Sequence, residues 1–101
     1  MHKIFISQSM RGLSADEITA KRGEIIATIN DIFNDDYEII DSYFADYNPE
    51  KGCIPLKYLS KSLELLADAD VAVFAQGWEN ARGCRIEHEC AKQYGIIVIE
   101  L

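Results

Sequence analysis

The sequence predicts a small doubly wound α/β domain: a four-stranded parallel sheet in the order 2-1-3-4, with helices on both faces. Three observations lead there. Strand-like apolar runs alternate with stretches of helical periodicity along all 101 residues, in the order β-α-β-loop-α-β-α-β. The first and third runs are apolar enough to be buried on both faces, as the inner strands of a parallel sheet are. Right-handed crossovers then leave 2-1-3-4 as the natural winding, with a ligand crevice beyond the carboxyl ends of strands one and three.

Lys3-Ile-Phe-Ile-Ser7 is the first strand, and Gln8-Ser-Met-Arg-Gly12 breaks it. Ser14-Ala-Asp-Glu17 has the S-x-x-E form of a capping box and starts a helix. Ile18, Ile25, Ile29 and Ile32 form its buried stripe, widened by Ile26 and Phe33, and Asn34-Asp-Asp36 ends it. Tyr37-Glu-Ile-Ile-Asp41 is a less apolar strand, suited to a sheet edge. Ser42 to Pro55 reads as a loop with both prolines, Gly52, Tyr43, Phe44 and Tyr47, and loops this long are usually functional or mobile. Leu56 to Ala67 is the second helix, its apolar face set by Leu56, Leu59, Leu63 and Leu66. Asp70–Ala75 and Ile96–Ile99 are strands three and four, and the third helix begins near Gly83 or Cys84 and runs to Tyr94.

Length bounds the chain to a single domain over residues 1–101. A formal charge of −7 disfavours binding to nucleic acid or to an anionic membrane surface. No apolar run approaches the ~18 residues of a membrane span, and the first residues do not form a signal peptide. Three cysteines at irregular spacing make no disulfide framework, so a cytoplasmic protein is expected.

Three polar or aromatic stretches, Gln8–Gly12, Gln76–Gly83 and Asp41–Phe44, converge on the predicted crevice. Ser7, Ser9, Arg11 and Gly12 suit an anion cradle, with Met10 beside them, although an ordinary βα turn has the same composition. Arg82 and Arg85 flank the start of the third helix, where they serve either an anionic ligand or surface pairing. Trp78, beside Gln76 and Gly77, has the face to stack a base, or else closes the small core or an oligomer contact. Glu87, placed in or near the first helical turn, meets free N–H groups that favour its charged form. An ionised glutamate there suits a nucleophile, though acidic residues are common in first turns in any case. Cys84 and His88 are four apart, but no second pair supports a metal, and the cysteines are expected to pack as small apolar groups.

Together these stretches resemble the nucleoside 2-deoxyribosyltransferase superfamily along nearly the whole chain. The similarity is closest to its small phage and bacterial members known only as a domain of unknown function, and to the 2′-deoxynucleoside 5′-phosphate N-hydrolases. Gln8-Ser-Met-Arg-Gly12 matches that hydrolase loop, G-S-I-R-G, at Ser9, Arg11 and Gly12. Gly83-Cys-Arg-Ile-Glu87-His-Glu-Cys-Ala91 fits the nucleophile segment. The resemblance implies a Rossmann-like fold and cleavage or exchange of an N-glycosidic bond in a nucleotide or nucleoside. Glu87 would be the nucleophile, with Ser9 and Arg11 near a 5′-phosphate.

One position departs from the pattern. The enzymes carry an aspartate eight residues before the Ala-Asp that opens strand three, and here that position is Ser62. Asp41 or Asp46 is then the candidate acid, Phe44 or Trp78 the base contact, and Ser7, Gly83 and Ser62 further ligand neighbours. No metal or redox cofactor is expected, and a homo-oligomer is. The alternative is a binding module that captures a nucleotide in the same crevice without chemistry.

Overall fold

The computed structural model describes residues 1–42 and 47–101. The described elements are β1 (His2–Ser7), α1 (Ala15–Phe33), β2 (Tyr37–Ile40), α2 (Ile54–Leu66) and β3 (Val71–Phe74), then a 3₁₀ turn (Trp78–Asn80), α3 (Arg82–Gln93) and β4 (Ile97–Glu100). The strands pair in parallel in the order β2-β1-β3-β4, the doubly wound arrangement predicted from the sequence. Ile4 registers with Ile39 on one side and Val71 on the other, and Val71 with Ile97.

Alternation along the inner strands divides the core into two layers. Ile4, Ile6, Val71 and Val73 pack against Ile25 and Ile29 of α1. Phe5, Ala72 and Phe74 point the other way, onto Leu66 of α2 and Ala91 of α3. The predicted capping box is present. Ser14 Oγ accepts from the Glu17 amide at 3.2 Å, and Glu17 Oε1 accepts from the Ser14 amide at 3.1 Å. The Ser14 amide foremost, and the Ser14 hydroxyl after it, hold the Glu17 carboxyl below its ordinary range.

Two predicted stripes are trimmed. Ile32 is exposed, because Phe33 on the other flank of α1 closes the end of the core. Leu56 is 59% exposed, because the first turn of α2 projects past the sheet and meets the crevice instead. That helix begins at Ile54, two residues ahead of its predicted start, with Pro55 in its first turn, where a missing N–H is harmless.

Candidate functional site: a crevice at the carboxyl edge of the sheet

β1 and β3 are adjacent, yet the chain leaves them toward opposite faces. The carboxyl ends of the two strands therefore open into a crevice of about 1000 Å³. Its floor is the exit of β1: Ser7, Gln8, Ser9, Met10 and Arg11. One wall is the first half of α2, with Pro55, Leu56, Tyr58, Leu59 and Ser62. The other is the start of α3, with Arg82, Gly83, Cys84, Ile86 and Glu87. Ser42, leaving β2, closes the remaining side.

Glu87 is the one buried carboxyl among the described residues, 7% exposed, and Ser7 Oγ donates to its Oε1 at 2.6 Å. Ser62 approaches the same carboxyl from α2. Burial pushes the Glu87 carboxyl above its ordinary range, against the downward pull of the Ser7 and Ser62 hydroxyls. The first-turn argument for an ionised Glu87 therefore needs correcting. α3 starts at Arg82, so Glu87 sits in the second turn, beyond the free N–H groups, and desolvation sets its charge. The neighbouring Cys84 thiol is likewise raised by burial, with the Ser7 hydroxyl pulling against it.

This shift has a consequence for stability. Between the unfolded carboxyl value of about 4.3 and the higher folded one, the folded protein keeps a proton that the unfolded chain releases. Stability from this group is therefore full below about pH 4 and falls as pH rises through the folded pKa. Glu87→Gln cannot titrate. Its melting temperature is expected to exceed that of the natural protein at about pH 8, with the gap closing toward about pH 4, as read by thermal unfolding across pH.

Arg11 reaches the crevice from the β1 exit and Arg82 from the first turn of α3, and among the described residues neither forms an ion pair or side-chain hydrogen bond. Arg85 turns away, with Nη1 donating to the Glu79 carbonyl at 3.0 Å. Gly12 takes the turn into α1 with φ of 79°, the left-handed region that suits glycine, and is exposed beyond the crevice lining.

Other sequence candidates fall elsewhere. Left-handed Gly77 and the 3₁₀ turn carry Trp78 back onto α3, where its ring stacks on His88 at 3.9 Å and meets Phe74 at 5.8 Å. Trp78 thus closes the core, and exposed Gln76 is also absent from the crevice lining. Asp41 is exposed outside the lining, 4.0 Å from Arg22 Nη2. Phe44 and Asp46 lie outside the described residues. Cys84 and His88 do not converge, since His88 Nε2 faces Glu100 Oε2 at 2.7 Å. Among the described residues no group of three His, Cys, Asp or Glu side chains is placed to hold a metal.

Arg22 is the residue sequence reasoning missed. It lies within the Ile18–Ile25–Ile29 stripe, and its side chain is only 12% exposed. Its Nη1 donates to Gln8 Oε1 at 3.3 Å, and its Nη2 donates to the Ile40 carbonyl at 3.4 Å and to Ser42 Oγ at 3.2 Å. Ser42 Oγ in turn donates to the Ile6 carbonyl at 2.8 Å. One guanidinium thus fastens the exits of β1 and β2 on one side of the crevice. The available signal was a lone cation inside an apolar helical stripe.

The fold and site define a Rossmann-like α/β domain whose switch-point crevice is shaped for a small molecule, and no helix described is long and apolar enough to cross a membrane. The chain belongs to the DUF4406 family, a domain of unknown function, whose profile matches residues 2–100. Comparison with curated proteins and with solved structures finds no match.

Proposed function

We propose that the crevice binds a nucleotide or nucleoside, as a binding module of the nucleoside 2-deoxyribosyltransferase type. The observation that carries this reading is the pair Arg11 and Arg82. Two guanidinium groups, one from the β1 exit and one from the first turn of α3, line one crevice of an acidic protein and have no protein anion among the described residues. They suit the phosphate, while Leu56, Leu59 and Ile86 offer an aliphatic slot for the base.

A second reading, cleavage of the N-glycosidic bond, draws support from Glu87, set against the crevice between Ser7 and Ser62. An ionised Glu87 would attack the anomeric carbon and form a glycosyl–carboxylate bond as the C–N bond breaks. The electron pair of that bond leaves with the base, which needs a proton, and water then resolves the ester. Two features favour binding over this reaction. Glu87 is raised toward its uncharged form, and Ser62 has no carboxyl proton to give.

Incubation with a panel of nucleosides and 5′-monophosphates separates the readings. Thermal stabilisation by monophosphates with no released base on chromatography is expected. Turnover beyond one equivalent establishes the enzyme instead. Self-association belongs to the same proposal and would use the open edge of β4, where Ile97 is 58% exposed beside the 82% exposed Tyr94 at the end of α3, and no lysine or proline guards the strand. The three free cysteines fit a reducing cytoplasm.

A further inference from the structure

Glu87 is held in an unusual way for a buried carboxyl. Ser7 and Ser62 are its hydrogen-bonding neighbours, and among the described residues no cation lies within ion-pair distance. The charged and titratable groups sharing the crevice are Arg11 from the β1 exit, Cys53 at the start of α2 and Tyr58 within it, and Arg82 and Cys84 from α3. His88, the next residue, is engaged with Glu100 on another face. The cations that share the crevice with Glu87 are therefore the same two that the ligand's phosphate uses.

A bound anion takes up that positive charge and removes water from a carboxyl that is already 7% exposed. Both effects favour the uncharged acid, one by like-charge repulsion and the other by desolvation. A neutral carboxyl can accept from Ser7 and still offer its own O–H to an acceptor on the ligand.

We propose that Glu87 reads the ligand as an uncharged hydrogen-bond donor, so that binding of an anionic nucleotide takes up one proton from solvent. The step balances as carboxylate, proton and ligand giving the protonated complex, with no bond made or broken in the ligand. It rests on the nucleotide-binding reading above and adds the polarity of recognition. The ligand must present an acceptor, such as a ring or ester oxygen, to Glu87.

Calorimetric titration with a nucleoside 5′-monophosphate at about pH 8, in buffers of different ionisation enthalpy, counts the protons. The natural protein is expected to take up protons on binding, up to one per ligand where free Glu87 is ionised and bound Glu87 is not, and its affinity to fall up to tenfold per pH unit above the titration. Glu87→Gln keeps an acceptor for Ser7 and a donor for the ligand at every pH. It is expected to bind more tightly than the natural protein at about pH 8, with no uptake attributable to the carboxyl. The phosphate's own titration near about pH 6 is common to both proteins and cancels in the difference. A ¹³C carboxyl spectrum of the natural protein needs no variant and should show a neutral glutamate signal growing as ligand is added.

Binding without proton uptake, or Glu87→Gln weakened at all pH values, overturns the donor role while leaving nucleotide binding intact. Failure of every probe to bind either protein overturns the nucleotide reading, and this inference with it.

Discussion

Replacing Arg11 and Arg82 together by alanine is expected to weaken binding of a nucleoside 5′-monophosphate by about a hundredfold. The corresponding nucleoside should lose less than about threefold. Charge-assisted hydrogen bonds contribute roughly 1.5–3 kcal/mol each, and both side chains are exposed in the free protein, so the lower end applies. Two such contributions of about 1.5 kcal/mol, on different segments and without a shared partner, add to about 3 kcal/mol, or roughly a hundredfold. The fold should be indifferent, because neither side chain has a protein partner among the described residues. Calorimetry on both ligands checks the split. Equal weakening of nucleoside and monophosphate means that the two arginines do not read phosphate.

Ser62→Asp carries the second large effect. Ser62 approaches the Glu87 carboxyl from α2, so an aspartate there places two carboxyls together in a buried wall. Two such groups do not readily both stay charged, and the pair shares one proton. One member is then ionised and able to attack the anomeric carbon, while the other holds a proton for the departing base. General acid assistance is commonly worth ~10²–10⁴ in rate. Ser62→Asp is therefore expected to release base from at least one nucleotide at a rate readily measured by chromatography, where the natural protein releases none or releases it slowly. A natural protein that is already fast, and slowed by the substitution, means that another residue is the acid.

The doubly wound sheet was legible because its signals are local and repeated. Apolar runs, helical stripes and the Ser14–Glu17 box each mark an element, and crossover handedness leaves few ways to wind them. The floor of the crevice was legible too, since Ser7 to Arg11 must leave the carboxyl end of an inner strand. The walls were less so. Periodicity identifies Leu56 and Leu59 as an apolar face without saying whether core or crevice lies opposite.

The start of α3 gave no warning, because its N-cap, Ala81, makes no side-chain hydrogen bond and Gly83 reads as a breaker inside the first turn. That slip of about half a turn moved Glu87 from a dipole-dominated site to a desolvation-dominated one and reversed the expected direction of its shift. For Trp78 the sequence left base contact and core closure both open, for a related reason. Whether a loop aromatic faces ligand or core depends on backbone turns, here the left-handed Gly77 and the 3₁₀ turn after it, that sequence spacing does not fix.

The central claim is that an anionic nucleotide occupies the crevice between the β1 exit and α3. Amide chemical-shift mapping during titration with a nucleoside 5′-monophosphate tests it most directly. The largest shifts are predicted at Ser7–Gly12 and Arg82–Glu87, saturating together with a single affinity. A second groove of about 820 Å³ at the opposite end of the strands, lined by Leu63, Leu66, Tyr94, Ile96 and Ile97, should stay silent. Shifts confined to that groove, or none anywhere at millimolar ligand, would contradict the account.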